Sequence, residues 1–351
     1  MDIIMDIPEL QILPEHLKLI SKIDEFKGKW QSLSNLAPER MALLKRVATI
    51  ESVGSSTRIE GARLTNSEVE KLLSGLSTVS FHSRDEEEIA GYAEAMELIF
   101  NFYDEIQTNE NYIKQIHQVL LKYSTKDARH RGKYKKFPNH VEAFSDDGRT
   151  LGIIFETALP LETPLKMVEL VEWFNMQWEK REFHNLLLIA IFLVNFLAIH
   201  PFQDGNGRLS RILTTLLLLK SGYSYVPYSS LEKVIEDSKE QYYLALRRAQ
   251  STLYTDNSTI NAWILFFLVS LRKQISVLES KIEAEKVIAQ LPPLSQDIVQ
   301  IARQHGKITV RDVGSITGAN RNTIKAHIKE LVRRGRLEMV GAGKGTWYRL
   351  P

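Results

Sequence analysis

The chain has 351 residues, 44% of them hydrophobic and 25% charged, and it contains no cysteine. Disulfides, thiolate metal sites and a cysteine nucleophile are therefore excluded, and the length suggests two or three domains of roughly 100–200 residues each. The net charge of +2 is unevenly spread: residues 291–351 hold 11 Lys+Arg against 4 Asp+Glu, while the rest is mildly acidic, so the two parts are expected to meet different partners.

Met1 to Asp6 is acidic and lacks the apolar run of a secretory signal, which with the missing cysteines leads us to expect a cytoplasmic protein. Apolar residues at spacings of three and four predict helices over Met41–Val53, Ser67–Leu76, Glu86–Tyr103, Asn111–Tyr123, Pro164–Lys180, Asn185–His200, Leu209–Ser221, Ser238–Gln250 and Ile260–Ala289. Leu186 to Ile199 is the greasiest stretch, but its 14 residues include Asn195. That is below the roughly 18–20 needed to cross a bilayer, so we expect a buried helix and no membrane partner. Asp147-Gly148 followed by RTLGIIFET predicts a β-hairpin over about residues 140–157.

Leu291-Pro292-Pro293-Leu294 ends the long helix. Beyond it a helix (Ser295–Gln304), a short strand near Ile308, a second helix (Val310–Thr317), a third (Arg321–Arg334) and two strands (Leu337–Val340, Thr346–Leu350) predict a winged helix-turn-helix. The expected fold is mainly α, divided into an N-terminal helical region (1–105), a core with the hairpin (106–290) and the winged helix (291–351).

Chemistry concentrates in His200-Pro201-Phe202-Gln203-Asp204-Gly205-Asn206-Gly207-Arg208-Leu209-Ser210-Arg211. Pro201 disfavours helix at His200, and a glycine-rich loop feeding a helix start offers backbone N–H groups and a favourable dipole to an anion. Arg208 and Arg211 add donors for phosphate oxygens. Asp204 is a candidate ligand for Mg²⁺, and His200 can take a proton from an attacking hydroxyl. Taken singly, a helix-terminal histidine, a Gly-Asn-Gly turn and solvated arginines are ordinary features; their joint occurrence within twelve residues is not.

The twelve residues resemble the Fic-family signature HxFx(D/E)GNGRxxR at every defined position, and the likeness extends over roughly residues 40–290. The resemblance implies a Fic helical bundle and transfer of AMP from ATP, with Mg²⁺, to a Ser, Thr or Tyr hydroxyl of a protein, self-modification included. It makes His200 the general base and Asp204 the metal ligand. Gly205, Asn206 and Gly207 become the anion hole, Arg208 a phosphate holder and Arg211 the γ-phosphate holder, with Leu209 and Ser210 completing the loop. It also implies that Tyr242, Tyr243 and Gln250 border the base and sugar, though a core aromatic pair fits the tyrosines as well. Gly152, Ile153, Ile154 and Phe155 take the place of a flap that clamps the target by strand addition.

Ser56-Thr57-Arg58-Ile59-Glu60-Gly61 resembles the family's inhibitory motif (S/T)xxxE(G/N). Ser56 and Glu60 lie four apart, on one helical face of a helix expected over about 50–61. A carboxylate that pairs bidentately with Arg211 would deny it to the γ-phosphate. Arg321, Asn322, Thr323, Lys325 and Lys329 line one side of the last helix and Lys344 lies in the wing, a pattern suited to DNA or to protein docking. The competing class is a DNA-binding transcription regulator controlled by its Fic domain. UMP, phosphate or phosphocholine donors, reversal of the modification, and a homodimer all stay open.

Overall fold

The computed structural model describes residues 11–33, 36–75, 80–139, 141–144, 150–253, 255 and 258–351, with the side chains of 33, 141–144, 150–155, 304 and 344 left aside. The chain forms two compact units, Met1–Glu279 and Ser280–Pro351. The division falls within a helix, Ile260–Ala289.

The first unit carries helices α1 (Pro14–Leu33), α2 (Pro38–Ile59), α3 (Asn66–Gly75), α4 (Arg84–Phe102) and α5 (Glu110–Leu120). A hairpin follows, β1 (Val141–Phe144) and β2 (Thr150–Phe155), then α6 (Thr163–Lys180), α7 (Asn185–Ile199), α8 (Asn206–Lys220), α9 (Leu231–Glu236), α10 (Lys239–Ser251) and α11 (Ile260–Ala289). Of these, α9 was not foreseen, and neither was α1. It docks through Ile20, Ile23, Phe26 and Trp30, with Phe26 set edge-on to Tyr225 at 5.1 Å. The helix holding the Ser56–Gly61 motif is longer than expected: it starts at Pro38, where a missing N–H costs nothing, and ends at Ile59 because Gly61 turns away at φ +106°.

At the centre stands α7, whose residues from Leu186 to Ile199 are all buried. Each Leu, Ile or Phe so buried contributes roughly 1.5–3 kcal/mol, which explains why this helix has no polar face. α8 packs along it, equally buried. α4 crosses α5 closely because Gly91 has no side chain; a Cβ there would sit 2.0 Å from the Leu120 carbonyl oxygen. A second apolar helix, α11, is by length and composition able to cross a membrane. Here Trp263, Ile264, Phe267, Leu268, Leu271 and Ile275 on it are buried, and the Trp263 indole N–H bonds the Ala190 carbonyl at 2.7 Å.

The hairpin pairs Val141 with Phe155, Glu142 with Ile153, Ala143 with Gly152 and Phe144 with Thr150, with irregular register at two points. Its connecting residues, including Asp147-Gly148, lie outside the described residues. The pair forms a two-stranded sheet.

The second unit contains α12 (Pro293–His305), α13 (Val310–Thr317), α14 (Arg321–Arg333) and the antiparallel strands β3 (Glu338–Val340) and β4 (Trp347–Arg349). Thr309 and Asp312 close a capping box at the start of α13, and Gly318 (φ +69°) makes the turn into α14. Ile298, Val313, Ile324, Ile328 and Leu337 form its core. Ile308 joins by a bridge to Tyr348 of β4.

Candidate active site

The loop between α7 and α8 is shaped from both ends. His200 caps α7 in a left-handed conformation, φ 52° and ψ 59°, unusual for a non-glycine residue. Pro201 follows and prevents the helix from continuing. Gly205 caps α8 at φ 79°, a conformation glycine adopts freely. Asn206 ties the loop shut: its Oδ1 accepts from Phe202 N at 2.9 Å and its Nδ2 donates to Phe202 O at 2.7 Å.

These bonds sort the residues expected to hold phosphate. The Leu209 N–H donates to Gly205 O at 2.8 Å, closing the first helical bond, and its side chain is buried. Leu209 is therefore a core residue and not a phosphate contact. Ser210 turns its hydroxyl onto Gly207 O at 2.8 Å. The Asn206 side chain serves the loop's closure, and the Gly205 N–H is engaged by its neighbour Asp204 Oδ1 at 2.5 Å. The backbone N–H groups of Asn206, Gly207 and Arg208 stand at the start of α8, where helical geometry leaves donors free for an anion.

Arg208 and Arg211 are 2% and 3% exposed. Arg208 is braced between Glu88 on α4, 3.0 Å from Nη1, and Asp204, 3.1 Å from Nη2. Among the described residues its Nε has no hydrogen-bond acceptor, and neither does Nη1 of Arg211. Buried guanidinium donors without acceptors are rare in folded proteins, and their chemistry suits an anion.

A carboxylate stands at that place. Glu60, one residue past the end of α2, bonds Arg211 Nη2 through Oε1 at 2.7 Å. The same oxygen lies over Gly207 so closely that a Cβ there would be 2.3 Å away. The contact is one bond and not the expected bidentate pair; Ser56 takes the Nε side of the guanidinium, with Nε donating to its Oγ at 2.8 Å and Nη2 to its carbonyl O at 3.0 Å. Desolvation would raise the Glu60 pKa, but Arg211 outweighs it, with help from Arg208 and His200, and the carboxyl titrates below its usual range.

His200 presents a defined tautomer. Nδ1 lies 3.2 Å from the Leu197 carbonyl. A carbonyl only accepts, so Nδ1 carries the proton and Nε2 keeps its lone pair. Burial, the leading cause, and nearby Lys135 lower its pKa to about 4 against the opposing pull of the Leu197 carbonyl, Glu60 and Asp204. His200 is thus a neutral base across the neutral range.

Asp204 sits across the loop, its carboxylate oxygens held by Arg208 and by Arg84 Nη2 at 2.6 Å. Burial would raise its pKa, but Arg208, the Gly205 amide and Arg84 keep it ionised. Among the described residues no group of three or more His, Asp or Glu could hold a metal by itself.

Tyr242, 4% exposed, lies on α10 near Arg211 and Ser210. The Tyr243 hydroxyl donates to Ile59 O at 3.4 Å, against the end of α2. Gln250 lies half-buried in the last turn of α10. Four contributors went unforeseen: Arg84, Glu88, Lys135 and His117. His117 accepts from Gly132 N at Nδ1 (2.9 Å), so its Nε2 carries the proton and donates to Asp204 O (3.0 Å). Its ring stacks on Phe202 at 3.8 Å.

Residues 107–218 match the Fic/DOC family, so the loop, the hairpin and α5 to α8 are those of a Fic domain. The fold is that of a Fic family protein from Desulfovibrio desulfuricans G20, with a TM-score of 0.63 and 24% identity over 98% of both chains. A Fic domain containing signaling protein from Bacteroides thetaiotaomicron is 26% identical at a TM-score of 0.60, over 75% of this chain and 96% of that one. Among curated proteins, the protein adenylyltransferase Fic of Aedes aegypti is 28% identical over 60% of this chain and that of Drosophila mojavensis 26% over 68%. The matched parts span 40% and 44% of those relatives' own lengths.

Proposed function

We propose that the chain is a protein adenylyltransferase held off at rest by its own Glu60. The observation that carries this reading is the convergence on one loop of a neutral His200 whose Nε2 keeps its lone pair, the amides at the start of α8 and two buried arginines with donors unmatched among the described residues. ATP would place its phosphates on those amides and on Arg208 and Arg211. A protein hydroxyl then attacks the α-phosphorus, its proton passes to His200 Nε2, the bond to the β-phosphate breaks and pyrophosphate leaves. Positioning and charge neutralisation supply most of the acceleration. The target segment would add to the hairpin edge at Gly152–Phe155, and the protein itself is one such target.

Mg²⁺ fits this donor set as a partner of the nucleotide, since it usually takes one or two carboxylates and completes its shell with phosphate oxygens and water. Asp204 would hold it, and Arg84, 44% exposed in its side chain, can turn away from the carboxylate. Bound there, the ion would neutralise phosphate charge.

Glu60 supports the resting state because its carboxylate holds Arg211 and crowds Gly207 at the start of α8, where a γ-phosphate would stand. Replacing it, Glu60→Gly, should raise incorporation of labelled AMP into the protein. His200→Ala should abolish it, and a surviving signal would remove His200 as the base.

A second reading concerns the Ser280–Pro351 unit, which we take as a DNA-binding winged helix. Its order of helices and strands and the Ile308 bridge favour that fold. On α14, Arg321, Asn322, Thr323, Lys325 and Lys329 are exposed. Glu330 is spent on Arg333 and Arg334, and Glu338 on Arg349. Arg321, Lys325 and Lys329 have no ion pair among the described residues, so the start of α14 faces solvent uncompensated; the Lys344 side chain lies outside those residues. Duplex DNA binding should weaken steeply with salt, and Lys325→Glu should weaken it further. No binding at low salt would refute this.

A further inference from the structure

Lys135 lies in the run Lys133-Tyr134-Lys135-Lys136, where a solvated face would be the ordinary expectation. It is instead 3% exposed. Each of its three N–H bonds has an acceptor: Asn139 Oδ1 at 2.8 Å, Thr157 Oγ1 at 2.9 Å and the Ile199 carbonyl at 2.9 Å. All three acceptors are neutral. Burying an ammonium among neutral acceptors is costly; burial, aided by Lys166 and opposed by Glu162, lowers its pKa to about 8. A methionine would fill the same space without that cost, so packing does not explain the residue.

The three acceptors lie on three separate stretches of chain. Asn139 stands just before β1, Thr157 just after β2, and Ile199 is the last residue of α7, adjoining His200. The same stretches are cross-tied. Asn139 Nδ2 donates to Phe202 O at 2.6 Å and lies 3.4 Å from His200 O, and Thr157 Oγ1 lies 3.2 Å from Asn139 O. The Lys135 N–H donates to Pro201 O at 2.8 Å, and Tyr134 bridges Phe202.

We infer that Lys135 is a positioning residue that fastens both feet of the β1–β2 hairpin to the turn carrying His200. This rests on the transferase reading above. A target segment added to the hairpin is placed by the hairpin's feet, while the proton it gives up is taken by His200. The distance between the two is set by groups that all meet at one ammonium. Displacements of about 1 Å in such a geometry reduce rates on the order of 100-fold.

The test uses the full chain with Glu60→Gly as parent. Lys135→Met should lower the rate of self-modification on the order of 30- to 100-fold at saturating ATP, and leave the affinity for a non-hydrolysable ATP analogue with Mg²⁺ within about twofold. Amide hydrogen exchange should speed up over residues 141–144, 150–155 and 199–202 and stay unchanged in α4 and α5. Thr157→Val, which removes one acceptor at nearly constant shape, should shift the same readouts by less, and it decides the matter if Lys135→Met does not fold. A rate within threefold of the parent, a loss of nucleotide affinity in step with the rate, or exchange rising equally over every helix would overturn the assignment. If the parent transfers nothing, the transferase reading fails, while the exchange pattern still decides whether Lys135 fastens the hairpin to the His200 turn.

Discussion

The substitution with the clearest expected magnitude is at Glu60. Its Oε1 meets Arg211 Nη2 at 2.7 Å and overlies Gly207, so a γ-phosphate must displace it to reach the same guanidinium. A hydrogen bond to a charged group contributes roughly 1.5–3 kcal/mol, and each 1.4 kcal/mol is a factor of ten. Removing the competitor, Glu60→Gly, should therefore raise productive nucleotide binding about 10- to 150-fold. Glu60→Gln keeps the shape and loses the charge. It should give a partial gain, since the Arg211 guanidinium still bonds a neutral amide oxygen, though less strongly than a carboxylate. Calorimetric titration with a non-hydrolysable ATP analogue and incorporation of labelled ATP would measure both. In the absence of nucleotide the same variants should unfold at lower temperature, because Arg211 stays buried with only Ser56 to satisfy it. Saturating ATP should restore them by more than it stabilises the parent. Equal affinity and equal incorporation in all three proteins would refute the claim that Glu60 competes with phosphate.

Further expectations concern protons and packing. With its pKa lowered to about 4, His200 keeps its lone pair until the solution is distinctly acid, so the transfer rate of the Glu60→Gly protein should show no inflection near pH 6.5; an inflection there would mean a base of ordinary pKa. His117 is also neutral when folded, its pKa lowered from 6.5 to about 4, mainly by burial. The unfolded chain then binds more protons between those values, and stability should fall as the pH drops from about 6.5 toward 4, by up to about 3 kcal/mol at the lower end. Urea midpoints across that range would show it, and the slope should flatten in His117→Gln. Gly91→Ala forces a Cβ onto the Leu120 carbonyl, 2.0 Å away. It should cost about 1–3 kcal/mol in urea unfolding, and a neutral result would contradict the close approach of α4 to α5.

Most of the helices were legible because their apolar residues recur at helical spacing over long runs, as in α4 and α10. The loop proposed as the active site was legible because His200 through Arg211 are contiguous and form one local motif. What the motif could not convey is how helix geometry spends its own members. Leu209 is consumed by the first turn of α8 and the Asn206 amide by Phe202, although both lie inside the signature. The supporting residues were hidden for a different reason. Arg84, His117 and Lys135 are 120, 87 and 64 positions from the groups they hold, and nothing local distinguishes them from solvated charges or a lone core histidine. Helix α1 went unseen because its buried side is five residues, His16, Ile20, Ile23, Phe26 and Trp30, spread among charged neighbours.

The central claim is that a competent nucleotide-transfer site is held off by Glu60. Intact-mass measurement of the Glu60→Gly protein after incubation with ATP and Mg²⁺ tests it most directly. The account predicts a mass gain of one AMP unit, far larger than in the parent and absent from the Glu60→Gly, His200→Ala double variant. No gain in the Glu60→Gly protein, or a gain of a phosphate alone, would contradict it.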